Sequence, residues 1–353
     1  MISFLGLSRQ QAEEAVVSLG LKRYRGKQIL EWIYNKGAAS FTEMTNISQK
    51  ERTFLEERAQ IGWPEVVAQE ADAAGKTRKY LLGFADGIRV ETVLMEHPYG
   101  YSLCVSSQAG CAMGCVFCAS TLHGLERNLT AAEMLAQVLF AQRELNRLQA
   151  GRLHSFVIMG SGEPLHNYDE VLRFMRLCHE PEVLGLGYRH MTLSTCGIVP
   201  AMERLRQEGL PLTLSISLHA PNDELRSRIM PVNRTYPLQS LLAAADAYAE
   251  ATGRRITYEY TLMKDWNDSQ QQAEELAGLL RGRLCHVNLI PVNAVAERGI
   301  ARPSPQRVEA FAQVLQTRGI AVTVRRERGV DIQAACGQLR NRNRNESAKE
   351  EET

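Results

Sequence analysis

Apolar residues recur at helical spacing through the first part of the chain. Ala12, Ala15, Val16, Val17 and Leu19 follow Ser8, whose hydroxyl suits a helix start, and Ile29, Leu30, Ile33 and Tyr34 share one face of a segment that Gly37 stops. A third stretch, 49–58, has the same character, so the first 75 residues or so read as helices. From Lys79 the period shortens. KYLLGF, IRVETVLM and SLCVSS are apolar or alternating runs with turn residues between them, which predicts short strands and a domain boundary near residue 76.

Beyond Cys118, helical and strand patterns alternate. A helix over 131–148 precedes the strand HSFVIM, a helix over 169–179 precedes HMTLST, and a helix near Ala201 precedes LTLSISL. Helices over 238–251 and 269–280 flank ITYEYTL and lead to CHVNLI, before a last helix over 305–318 and a strand through Val322 and Val324. Counting SLCVSS, this makes six β-then-α units. Such alternation predicts parallel strands joined by right-handed helical crossovers, with chemistry at the C-terminal strand ends. The expected fold is α/β, a partial (β/α)6 barrel with a small helical N-terminal domain. The expected divisions are 1–76, 77–340 and a charged tail, 341–353, with no apolar face to bury and therefore expected to be disordered.

A length of 353 residues suits about two domains, or one large barrel with an appendage. The 44% hydrophobic and 23% charged content excludes a fibrous or wholly disordered protein. A net charge of +1 provides no global attraction to nucleic acid, so any such contact must come from local patches. One patch is Lys22, Arg23, Arg25 and Lys27, which reads either as a solvated helix approach or as a phosphate contact. No run reaches the roughly 18–20 apolar residues that cross a bilayer, and the start lacks the order of a signal peptide. No membrane association and a cytoplasmic location are therefore expected. In a reducing compartment the eight cysteines read as ligands, reactive thiols or core filler rather than staples.

Cys111, Cys115 and Cys118 form a Cys-x3-Cys-x2-Cys triplet in QAGCAMGCVFCAS, at the end of the first core strand. Three soft sulfurs in one loop suit iron-sulfur or zinc rather than magnesium or calcium, and three ligands leave one position open. In a four-iron cluster the open iron takes an exchangeable ligand; in a zinc site it needs water, His123 or a further cysteine.

The triplet, with Phe117 before its last cysteine, resembles the motif of radical S-adenosylmethionine (radical SAM) enzymes. LCVSSQAGC, RNLT, MGSGEPLHN, LSTCGIVP, SLHAPNDELR, NLIPVN and DIQAACGQL extend the resemblance, in order, to the dual-specificity RNA methyltransferases that act on carbon 2 of adenosine. RYRGKQILEWIY and FTEMTN carry it through the N-terminal domain. The implied fold is a partial barrel of the radical SAM type, and the implied cofactors are a [4Fe-4S] cluster and S-adenosylmethionine.

By resemblance, Cys111, Cys115 and Cys118 bind the cluster, while Gly162, Glu163, Ser194, Ser217, Leu218, His219 and Asn293 line the S-adenosylmethionine site. Glu163 can accept from the cofactor's ammonium. Cys336 carries the methyl group, Cys104 attacks its sulfur to form a disulfide as the methyl group leaves with the base, and Glu91 takes the carbon 2 proton. The implied partners are 23S ribosomal RNA near the peptidyl-transferase centre, transfer RNA next to the anticodon, and a flavodoxin-type electron donor. Arg325, Arg326, Arg328, Arg340, Arg342 and Arg344 flank Cys336 and read either as RNA phosphate contacts or as a solvated terminus.

Cys178 and Cys285 read as buried small hydrophobes. Cys196 and Ser161 depart from the family, which usually has serine at the first position and a larger apolar residue at the second. Two other functions remain in play. The related carbon 8 methyltransferases share Cys104, Cys336 and the triplet, although GEPLHN and NRTYPL sit nearer the carbon 2 branch. A non-catalytic RNA-binding protein with a structural metal site would use four protein ligands.

Overall fold

The computed structural model describes residues 1–293, 299–325, 339–341 and 343. The N-terminal segment contains β1 (Ile2–Ser3), α1 (Arg9–Ser18), α2 (Tyr24–Lys36), α3 (Gln49–Arg58) and β2 (Ala59–Gln60), with β1 and β2 paired in parallel. The Ser8 hydroxyl accepts from the Gln11 amide while the Gln11 side chain accepts from the Ser8 amide, and Ser48 and Glu51 do the same for α3. Gly37 ends α2 at a φ of 65°, a left-handed conformation glycine adopts without a Cβ penalty.

The basic cluster runs into the first turn of α2, with Arg25 and Lys27 inside the helix, and three of its members pair within the fold. Arg25 pairs with Glu51 at 2.6 Å, Arg23 with Glu13 at 2.7 Å and Lys27 with Glu31 at 3.8 Å. Those contacts favour the structural reading of these residues.

A ten-stranded sheet organises the rest of the described chain, in the order β14-β13-β12-β11-β10-β9-β6-β5-β4-β3. β3 (Glu65–Ala71), β4 (Thr77–Gly83), β5 (Arg89–His97) and β6 (Gly100–Cys104) run antiparallel to one another. β3 corrects both the expectation of helices throughout the first 75 residues and the expected boundary near residue 76, because it pairs with β4 inside the main sheet. This strand pairs only at the sheet edge and buries little side-chain surface, so its apolar alternation is weak.

After the short hairpin β7 (Gln108–Gly110) and β8 (Leu125–Asn128), helix and strand alternate as expected. The run is α4 (Ala131–Arg147), β9 (Leu153–Ile158), α5 (Tyr168–His179), β10 (Met191–Thr195), α6 (Val199–Gln207), β11 (Thr213–Ser217), α7 (Asp223–Ile229) and α8 (Leu238–Thr252). It continues through β12 (Ile256–Leu262), α9 (Gln270–Leu280), β13 (Cys285–Pro291), α10 (Pro305–Thr317) and β14 (Val322–Val324). Strands β6 and β9 to β14 are parallel, and β14 and β3 are the sheet edges, so the barrel is partial.

Helices seal the sheet through aromatic contacts such as Phe156 on β9 with Phe174 on α5 (5.0 Å) and Tyr260 on β12 with Phe311 on α10 (5.2 Å). Burying each such ring stabilises the fold by roughly 1.5–3 kcal/mol. Phe4, Ile29, Ile33 and Leu55 of the N-terminal segment belong to the same apolar core as Leu135 and Leu139 of α4. Cys178 is buried in α5 as core filler, whereas Cys285, at the start of β13, is only partly buried against the core.

The tail expected to be disordered begins with contacts. Asn341 is buried and donates to the Ala119 carbonyl at 3.2 Å, and Arg89 donates to Asn343. Residues 344–353 lie outside the described residues.

Candidate active site

The hairpin β7–β8 presents the cysteine triplet as its connecting loop. The Cys111 amide donates to the Gly124 carbonyl at 2.9 Å, closing the loop, and the Val116 amide donates to the Ile229 carbonyl at 3.0 Å, docking it beside α7. The Thr121 hydroxyl is 2.9 Å from the Cys118 carbonyl. Cys111 and Cys115 are buried and Cys118 is partly buried. All three line a cavity of about 320 Å³ at the C-terminal ends of the barrel strands.

Cys104, Gly162, Glu163, Ser194, Ser217, His219 and Asn293 line the same cavity. Cys104 ends β6, opposite Val93 on β5 and Val157 on β9. Leu218 is different: its side chain lies in the main core and does not line the cavity, while its amide donates to the Glu259 carbonyl at 3.0 Å and its carbonyl accepts from Arg226 at 3.1 Å. Glu91 sits on β5 two residues before Val93, a cavity residue. Its carboxylate accepts from the Arg340 amide at 2.8 Å and stands 3.3 Å from the Lys79 ammonium. Cys336 lies outside the described residues.

Gly162 adopts a φ of 107°, and a Cβ there would meet Gln108 Cβ at 2.5 Å. Glycine therefore lets the GEP turn close over Gln108, whose Oε1 accepts from the Glu163 amide at 2.7 Å. The Glu163 carboxylate accepts from the Thr195 hydroxyl at 2.7 Å, the Cys196 amide at 2.7 Å and the Leu165 amide at 2.9 Å. Burial raises its pKa against the opposing pull of those bonds.

His219 is buried at a φ of 57°, its ring edge-on to Phe117 with centroids 4.6 Å apart. Nδ1 accepts from the Thr261 amide at 2.9 Å, so the neutral ring carries its proton on Nε2. Burial, together with nearby Arg226, pulls His219 down to about 3.

The two departures from the family pattern are accommodated. The Ser161 hydroxyl donates to the Gly110 carbonyl at 3.3 Å and its amide donates to Ser106 at 2.9 Å, so its polar groups are satisfied. Cys196 is buried in the cavity wall, where desolvation pushes its thiol well up and holds it protonated.

Sequence reasoning missed Arg226, Glu259 and Lys79. Glu259 lines the cavity, accepts from Asn288 at 2.7 Å, and has its pKa raised by burial. A lone acid inside the apolar strand ITYEYTL was the available signal.

The thiol set fits an iron-sulfur cluster. Burial pushes Cys111 up to about 12 and Cys115 well above its ordinary value, so thiolates at these positions require a strong positive partner. Iron supplies that charge, and soft sulfur suits it. No group of three or more His, Cys, Asp or Glu side chains among the described residues is placed to hold a single ion. A four-iron cluster instead takes one thiolate per iron. The adjoining volume, with polar groups at four strand ends, lies in the range of pockets that enclose small cofactors.

A partial parallel barrel with a three-thiol loop at its mouth is the architecture of a radical SAM enzyme, and residues 105–277 match the family model described as the radical SAM superfamily. Residues 2–61 match the ribosomal RNA large subunit methyltransferase N-terminal domain. The chain is 52% identical over 338 residues, 96% of its length and 91% of the relative's, to the probable dual-specificity RNA methyltransferase RlmN of Symbiobacterium thermophilum. It is 49% identical, over 95% of both chains, to the corresponding protein of Desulforamulus reducens. The crystal structure of a radical SAM methyltransferase from Sphaerobacter thermophilus superposes with a TM-score of 0.92 at 46% identity, covering 96% of this chain and 99% of that one. The chain therefore belongs to the RlmN family of dual-specificity RNA methyltransferases. It is an enzyme that acts on RNA with a [4Fe-4S] cluster and S-adenosylmethionine. None of its described helices is long and apolar enough to cross a membrane.

Proposed function

We propose that this enzyme methylates carbon 2 of adenosine in 23S ribosomal RNA and in transfer RNA, using a methyl group carried on Cys336 and released by Cys104. The observation that carries this reading is the position of Cys104, a buried thiol in the same cavity as Cys111, Cys115 and Cys118. The described residues that flank the Cys336 segment support it as well. Arg325 lines the cavity on one side, and the Arg340 amide bonds Glu91 on the other.

When bound, the cluster and S-adenosylmethionine supply hydrogen-atom abstraction. Carbon 2 of adenine is an electron-poor aromatic carbon that does not attack a sulfonium, so its methyl group needs a carrier on the protein. Cys336 fills that role as a thioether. Once a hydrogen atom is removed from the methyl group on Cys336, its carbon would bond to carbon 2; Glu91 would accept the carbon 2 proton, and one electron would return to the cluster. The Cys104 thiolate would then attack the Cys336 sulfur: the sulfur–sulfur bond forms, the sulfur–carbon bond breaks with its electron pair going to the carbon, and that carbon takes a proton and stays on the base as the methyl group.

Glu163 orients the cofactor's ammonium, Gly162 admits it closely, and Ser194, Ser217, His219, Asn293 and the Leu218 backbone complete its site. Arg325 is exposed and lines the cavity, which supports its reading as an RNA phosphate contact. Arg340 is already paired with Glu126 at 2.6 Å, while Arg326, Arg328, Arg342 and Arg344 lie outside the described residues. The N-terminal helical segment acts as an accessory RNA-contact unit, the electron donor is of the flavodoxin type, and the reaction takes place in the cytoplasm. A target adenine inside a helix must leave its stack to reach the barrel mouth.

Two variants test this chemistry. Cys336→Ala is expected to abolish RNA methylation, and Cys104→Ala to accumulate a protein–RNA adduct that survives denaturation. Full turnover by Cys336→Ala would overturn the two-thiol reading.

A further inference from the structure

Arg226 has no role in the chemistry above, yet its side chain is 0% exposed and among the largest of the fully buried ones. A buried guanidinium is costly unless its donors are used. Here Nη2 donates to the Cys196 carbonyl at 2.7 Å and the Ser217 carbonyl at 3.1 Å, Nε to the Leu218 carbonyl at 3.1 Å, and Nη1 to Asn233 Oδ1 at 2.8 Å. Asn233 is fixed in turn by bonds to the Asp223 carboxylate at 3.0 Å and the Ser227 hydroxyl at 2.8 Å.

The three carbonyls lie at the ends of adjacent strands. Cys196 follows β10 directly, Ser217 closes β11, and Leu218 comes next. Those same strand ends present Ser194, Ser217 and His219 to the cavity. His219 sits in the left-handed region at 57°, a conformation that persists in a non-glycine residue only when its surroundings hold it. Asn267 grips it from the far side, donating to the His219 carbonyl at 2.8 Å, while Arg226 grips the carbonyl just before it. A planar fork can bridge three carbonyls on two strands at once, whereas the single ammonium of lysine does not reproduce that geometry.

We propose that Arg226 is a positioning residue for the nucleotide cofactor: it sets the spacing of the β10 and β11 ends so that their polar groups meet S-adenosylmethionine together. The inference rests on the reading that these strand ends form the cofactor site.

The test uses full-length, anaerobically reconstituted protein, comparing wild type, Arg226→Lys, Asn233→Ala and Asn293→Ala. It measures iron content, thermal midpoint, S-adenosylmethionine affinity, and the change that S-adenosylmethionine causes in the electron paramagnetic resonance spectrum of the reduced cluster. Arg226→Lys is expected to load iron normally, bind S-adenosylmethionine about tenfold or more weakly, and show a diminished spectral change. Of the Arg226 bonds, Asn233→Ala removes only that of Nη1, and it is expected to weaken binding by a smaller factor. It also provides the decisive comparison should Arg226→Lys fail to fold. Wild-type affinity in an iron-loaded Arg226→Lys, or in Asn233→Ala if the first variant does not fold, would overturn the inference, even with a lowered thermal midpoint. Weakened binding in Asn293→Ala alongside such a result would leave the site reading standing. Wild-type affinity in Asn293→Ala would instead count against the site itself.

Discussion

The Lys79 ammonium stands 3.3 Å from the Glu91 carboxylate, and the two side chains are 0% and 4% exposed. They lie on neighbouring strands, where Lys79 pairs with Val93 and Leu81 pairs with Glu91. The pair thus buries two opposite charges beside the strand row that leads to Cys104. Removing one member of a buried pair costs far more than removing both, because desolvation of the survivor is no longer offset. Lys79→Met is expected to lower unfolding free energy by about 3–5 kcal/mol, and adding Glu91→Gln to recover part of that loss. Denaturant unfolding of the two variants measures both effects.

His219 ties stability to pH. Its folded value of about 3 lies below its ordinary 6.5, so between these values the unfolded chain binds a proton that the native chain does not. The contribution is complete above pH 6.5 and declines as pH falls towards 3. Compared with His219→Gln, wild type should lose stability on acidification by up to about 1.4 kcal/mol per pH unit in that window. Parallel stability curves for the two proteins would contradict a neutral, buried imidazole.

Gly162→Ala is expected to be poorly tolerated. The added Cβ meets Gln108 at 2.5 Å and forces a side chain into a φ of 107°. Moving Gln108 would break its bonds to the Glu163 amide and to Asn128. A stability loss above about 1 kcal/mol and weaker S-adenosylmethionine binding are expected, readable by thermal unfolding and equilibrium binding.

Much of the architecture was legible because its signals are local. The Ser8 and Gly37 boundaries depend on neighbours within a turn, and the alternating units from β6 to β14 follow from apolar spacing alone. The triplet was legible for the same reason, since its ligands share one loop. β3 escaped because an edge strand with mostly exposed side chains carries little pattern. Lys79 with Glu91, and Arg226 with Cys196, could not be paired from sequence, because strand register and a crossover bring together residues far apart in the chain. Leu218 shows the opposite limit: a motif residue assigned by resemblance turned its side chain into the core.

The cluster assignment predicts that iron depends on each thiol of the triplet. Cys118→Ala, the least buried of the three positions, should fold yet fail to retain a full complement of iron and sulfide after anaerobic reconstitution. Cys178→Ala, far into the helical layer, should retain it. Quantitation of iron and sulfide per chain distinguishes the two.

The most direct measurement is mass spectrometry of nucleosides from 23S ribosomal RNA and transfer RNA incubated with the reconstituted, reduced enzyme and S-adenosylmethionine. The predicted product is 2-methyladenosine, formed together with 5′-deoxyadenosine. A methyl group on carbon 8, or unmodified adenosine under conditions where 5′-deoxyadenosine accumulates, would contradict carbon 2 as the site of reaction.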